Sequence, residues 1–64
     1  MEVLMNITEL AEVMKLKETT IRKYVLENSI PFIKIGAAVR FRPSEIEQWI
    51  EARKRNSHLT AVKK

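Results

Sequence analysis

The chain has 64 residues, no cysteine, a single histidine and a formal charge of +4. That length makes one domain, the lack of cysteine excludes disulfides and thiolate metal sites, and one histidine cannot hold a metal by itself. No apolar run approaches the roughly 18–20 residues needed to cross a bilayer, and Met1-Glu2-Val3-Leu4-Met5 lacks the basic start and long apolar core of a secretory leader, so a cytoplasmic protein with no membrane partner is expected.

The first helix is predicted over Ile7–Met14. Asn6 is a good N-cap, and Glu9 three residues later completes a capping-box pair. Ile7, Leu10, Ala11 and Met14 form its buried stripe, with Val13 on the flank. Ala11 is small enough to let a second helix come close. Lys15-Leu16-Lys17 is the turn, and Leu16 is expected to plug the angle between the helices. The second helix is predicted from Glu18 to Glu27, with the acid in the first turn facing the positive end of the dipole. Asn28 is its left-handed stop. Ser29-Ile30-Pro31 continues extended, because Ile30 precedes proline.

A hairpin is expected next, with strands Phe32–Ile35 and Val39–Arg42 around a Gly36-Ala37-Ala38 loop. Alternation then points Val39 and Phe41 inward with Ile33 and Ile35, and leaves Lys34, Arg40 and Arg42 together on one solvent face. The third helix opens at Pro43-Ser44-Glu45-Ile46-Glu47. Ser44 is its expected N-cap, with Glu47 as reciprocal partner. Ile46, Trp49 and Ile50 make its stripe, and Trp49 is expected to be the largest single contributor to the core. The helix fades towards Asn56-Ser57. The domain is therefore placed at residues 1–56, with 57–64 as a flexible basic tail.

Two short helices joined by a tight turn are the signature of a helix-turn-helix. On the second helix Thr19, Arg22, Lys23 and Leu26 share one face at i, i+3, i+4, i+7 spacing, while Ile21, Tyr24 and Val25 lie opposite. Threonine, arginine and lysine serve phosphates and base edges alike, so this face is read as a contact for double-stranded DNA. The plain alternative is a solvated basic helix. Lys34, Arg40 and Arg42 are read as a wing along the DNA backbone, against the ordinary charged face of a two-stranded sheet. Arg53, Lys54 and Arg55 are weighed as phosphate contacts or as solubilising charge, with the second reading slightly preferred. Tyr24 and Trp49 are read as core. No Ser/His/Asp grouping, metal cluster or glycine-rich phosphate loop is present in the sequence, so no catalytic residue, cofactor or metal is expected.

Four blocks resemble the small winged-helix domains of the excisionase type, related to the DNA-binding head of MerR regulators and to AlpA-like phage regulators. They are Asn6-Ile7-Thr8-Glu9-Leu10-Ala11-Glu12, Thr19-Thr20-Ile21-Arg22-Lys23-Tyr24-Val25, Ile30-Pro31-Phe32-Ile33-Lys34-Ile35-Gly36, and Val39-Arg40-Phe41-Arg42-Pro43-Ser44-Glu45-Ile46-Glu47-Gln48-Trp49-Ile50. The resemblance covers about Leu4 to Arg53. It implies a mainly α fold of helix–helix–hairpin–helix order, a winged helix-turn-helix. It implies that Lys17, Thr19, Thr20, Arg22 and Lys23 lie on the recognition segment in the major groove, and that Lys34, Arg40 and Arg42 lie on the wing strands. It also implies one of two roles: excision of mobile DNA beside an integrase or recombinase, or transcriptional control. Lys15 stands where the family often has a turn glycine, Lys17 where it has a hydroxyl N-cap, and Ala37-Ala38 where it has a basic wing tip. Further copies on adjacent DNA sites are expected, because one domain this small covers little DNA. The alternative from another class is an adaptor that engages an integrase or other protein through the exposed face of the second helix.

Overall fold

A computed structural model describes residues 1–56, with side chains described through Lys54; the tail expected over 57–64 lies outside the described residues. The elements run α1 (Ile7–Met14), α2 (Glu18–Leu26), β1 (Ile33–Ile35), β2 (Ala38–Arg40) and α3 (Pro43–Asn56). Among the described residues, three helices and one antiparallel hairpin make the mainly helical winged helix-turn-helix that the sequence implied.

α1 forms as its local signals dictate. The Asn6 side chain accepts from the Glu9 N–H at 2.7 Å, and the Glu9 carboxylate accepts from the Asn6 N–H at 2.9 Å. Both bonds satisfy donors that a helix start leaves open. The far end closes at Lys15, which holds φ 60°, with Lys15 N–H bonded to the Glu12 carbonyl and Leu16 N–H to that of Ala11. This paired closure is a Schellman motif. It turns the chain sharply enough for α2 to start three residues later and pack beside α1. Leu16 does not plug the angle. It is exposed, and the interior is filled instead by Leu10, Ala11 and Ile21.

α2 ends in the same way. Asn28 takes φ 54°, its N–H bonds to the Val25 carbonyl, and Ser29 N–H bonds to that of Tyr24. Beyond Ile30, which is buried, the hairpin differs from expectation by one residue. The loop is Gly36-Ala37, not Gly36-Ala37-Ala38, and the register pairs Ile33 with Arg40, Lys34 with Val39 and Ile35 with Ala38. Gly36 has φ 61°, and the next residue is not in the left-handed region. A positive φ at the first loop position alone is the II′ pattern, whose twist suits a two-residue hairpin. A one-residue slip moves every side chain of one strand to the other face. So Phe32 and Val39 pack on the core with Phe41, whereas Ile35 points away and is 56% exposed.

A short N-terminal segment completes the layer. Met5 and Phe41 exchange both backbone bonds, at 2.9 and 2.8 Å. Among the described residues Phe41, Leu10 and Ile21 are the largest fully buried side chains, joined in the core by Ala11, Ile30 and Ile46. Trp49 is only partly buried, so Phe41 and not Trp49 is the largest fully buried ring. Ile50 is exposed and does not join the stripe of α3.

The start of α3 corrects a second expectation. Ile46 N–H bonds to the Arg42 carbonyl at 3.0 Å, so Pro43 takes the first helical position, which suits a residue with no N–H. Ser44 is then inside the helix and no capping box with Glu47 forms. Glu2 does the capping instead: one carboxylate oxygen accepts from the Ser44 N–H at 3.0 Å and the other from the Ser44 hydroxyl at 2.8 Å.

Candidate nucleic-acid interface

α2 is held from behind and bare in front. Ile21 is fully buried, and Tyr24 and Val25 pack against the core. Thr19, Arg22 and Lys23 are exposed, and Leu26 on the same face is 84% exposed. Thr20 is half-buried at the edge of that face. Lys17 stands exposed just before the helix, where its carbonyl accepts from the N–H groups of Thr20 and Ile21 at 3.0 and 3.2 Å while its side chain caps nothing. Its ammonium therefore adds to the positive end of the helix dipole. A helix of nine residues is about 13 Å long, close to the roughly 12 Å width of a major groove.

One acid borders this face. Glu18 lies 3.5 Å from the Arg22 guanidinium, a pair across one helical turn. Both side chains are well exposed, Arg22 at 57% and Glu18 at 41%, so the pair is worth only about 0.3–0.5 kcal/mol. That is small beside a bidentate contact from arginine to a base or phosphate, worth about 1–3 kcal/mol. The pair thus orients Arg22 without holding it back from a stronger anion. The i, i+4 spacing that makes it is visible in the sequence.

The hairpin cations are not gathered on one face. The register sets Lys34 beside Val39 and sets Arg40 beside Ile33, on opposite sides of the two strands. Lys34 is exposed. Arg40 is half-buried, with one guanidinium nitrogen donating to the Val39 carbonyl at 2.8 Å. Arg42 lies past the strand, 3.9 Å from the Glu2 carboxylate. The hydrogen bonds from the Ser44 hydroxyl and backbone N–H, with help from the Arg42 charge, hold the Glu2 carboxyl below the usual glutamate range. The structure therefore brings Lys17, Thr19, Thr20, Arg22 and Lys23 together on one short segment and disperses Lys34, Arg40 and Arg42.

Behind α2 a set of contacts links it to α3. The Tyr24 and Trp49 ring centroids lie 5.7 Å apart at an interplanar angle of 59°. The Arg53 guanidinium stands 4.5 Å from the Trp49 ring centroid and 5.7 Å from that of Tyr24, within reach for cation–π attraction. Arg53 is thus tied to the aromatic pair, a role the sequence reading did not foresee. Among the described residues no three His, Cys, Asp or Glu side chains are placed to hold a metal ion, and no helix is long and apolar enough to cross a membrane. A family model described as a helix-turn-helix domain matches residues 4–54. No curated protein and no solved structure matches the chain.

Proposed function

The chain belongs to the helix-turn-helix domain family, of the AlpA/excisionase-like kind, and from that premise we propose that it reads double-stranded DNA in a sequence-specific manner with α2 in the major groove. Membership of this family suggests DNA binding and a typically non-enzymatic protein. One observation supports the finer reading most: a basic, hydroxyl-bearing face stands free on a helix whose opposite side is fixed by the buried Ile21. In this reading Arg22 and Lys23 reach base edges and phosphates, Thr19 and Thr20 add hydroxyl contacts, and Lys17 meets a phosphate at the helix start. Leu26, at the far end of the face, supplies an apolar contact to the C5 methyl of thymine, a group only that base carries in the groove.

The hairpin serves as a wing on the DNA backbone, with Lys34 on one of its sides, Arg40 on the other and Arg42 just past the second strand. The protein acts in the cytoplasm by positioning or bending DNA, without covalent chemistry. It works beside an integrase as a directionality factor, or alone as a small regulator of transcription. Several copies occupy adjacent sites, since one such module covers only on the order of 600–1,000 Å². The test is selection of a bound sequence from a random duplex pool. The wild-type chain is expected to enrich a defined site, and the double variant Arg22→Ala/Lys23→Ala is expected to lose at least about tenfold in affinity for it with an unchanged circular dichroism spectrum. Failure to enrich any sequence, or equal binding by the double variant, would defeat the reading.

A further inference from the structure

We infer that Trp49 is a positioning residue for the recognition helix, acting from behind through the backbone that closes the C-terminal end of α2. The inference rests on the DNA-reading role proposed for α2. The indole Nε1 donates to the Ser29 carbonyl at 2.7 Å. Ser29 is itself tied back to α2. Its N–H donates to the Tyr24 carbonyl at 2.9 Å, and its hydroxyl donates to the same oxygen at 3.3 Å. The chain of bonds therefore runs from α3 through Ser29 into the last turn of α2.

The ring contacts run in parallel with it. Tyr24 lies against Trp49, and Arg53 from the next turn of α3 covers both rings. Tyr24 is one residue removed from Lys23 and two from Arg22, and its side chain leaves the helix on the opposite face. Any tilt of the last turn that shifted Arg22, Lys23 or Leu26 by an ångström in a groove would have to break the indole bond or slide the rings. α2 also packs against α1. Trp49 is partly buried against the edge of the core, whereas Phe41, Leu10 and Ile21 are fully buried. Its hydrogen-bonded geometry is thus better suited to fixing the last turn of α2 than to filling volume. Misplacement by about 1 Å is enough to spoil a directional contact.

The experiment uses Trp49→Phe, which keeps a ring over Tyr24 and removes only the donor and part of the surface. Amide hydrogen exchange is followed in the free protein at a temperature where both chains are fully folded. Exchange at Glu27, Asn28 and Ser29 is expected to accelerate about tenfold more than exchange at Leu10 and Ala11 in α1, as local opening of one segment requires. Under the same conditions the variant is expected to bind the duplex selected by the wild-type chain about fivefold more weakly, and to keep its weak affinity for an unrelated duplex of equal length. A merely structural role predicts that all amides accelerate by a common factor and that selected-site affinity is unchanged while the chain is folded; either result overturns the inference. If the wild-type chain selects no duplex, the DNA reading fails and takes the recognition role of Trp49 with it, while the exchange data still decide whether the indole holds the end of α2.

Discussion

Lys15 closes α1 with φ 60° and Asn28 follows α2 with φ 54°, yet the two residues do not pay equally for that backbone. Asparagine tolerates the left-handed region through local hydrogen bonding, whereas a long side chain loses about 1–2 kcal/mol there. Glycine removes that penalty and returns roughly 0.5–1 kcal/mol of it as unfolded-chain entropy. Lys15→Gly is therefore expected to stabilise the chain by about 0.5–1 kcal/mol, read as a higher urea midpoint at unchanged slope; no rise in midpoint would show that the turn is not strained. Leu26 keeps 84% of its surface in water. Replacing thymine by uracil throughout the selected duplex strips the C5 methyls. The wild-type chain is expected to lose about fourfold in affinity for each methyl that Leu26 covers, and Leu26→Ala to be insensitive to the replacement. Equal losses in both would remove Leu26 from the reading face.

Between elements, the most consequential contact is the one from Glu2 to the start of α3. The carboxylate satisfies the Ser44 N–H and hydroxyl and stands by Arg42, so its folded pKa lies below the ordinary 4.5. Its stabilisation is thus fully present above the unfolded pKa and is lost as pH falls through the folded one. Glu2→Gln is expected to melt at lower temperature than wild type near neutral pH, with the gap closing as pH drops below about 4.5. A gap that persists undiminished to strongly acidic pH would show that the charge on Glu2 is not what matters. This contact also marks where sequence reading stops. The Asn6/Glu9 box of α1 was legible because both partners lie within one turn. Ser44 and Glu47 carry the same spacing, but the helix started two residues early, at Pro43, and its cap came from 42 residues away. The hairpin failed for a related reason. Either Gly36-Ala37 or Gly36-Ala37-Ala38 makes an acceptable loop, and only tertiary packing of Phe32, Val39 and Phe41 against the core chose between them. That choice dispersed Lys34, Arg40 and Arg42. The face of α2 was legible in full, because helical period alone determines it once Ile21 is inside.

Among the described residues, a buried core of Leu10, Ala11, Ile21, Ile30, Phe41 and Ile46 supports one cationic helix face. The order of elements and the helix-turn-helix geometry could be read from the sequence, while the Met5–Phe41 pairing that fastens the N-terminal segment to the hairpin could not, since a single bridge leaves no periodic pattern. A domain of this size has only about 3–5 kcal/mol of stability, so binding energy has to come from charges already in place and not from folding on the DNA. The charge of +4 is concentrated usefully only if Lys17, Arg22 and Lys23 meet phosphates together with a wing residue such as Lys34. Because backbone contacts need no knowledge of the target sequence, the most direct measurement is affinity for an arbitrary duplex over a range of salt concentrations. Four phosphate contacts predict a slope of log affinity against log salt of about −3.6 for the wild-type chain and about −1.8 for Arg22→Ala/Lys23→Ala. A slope near zero, or the same slope in both proteins, would contradict the placement of α2 on DNA.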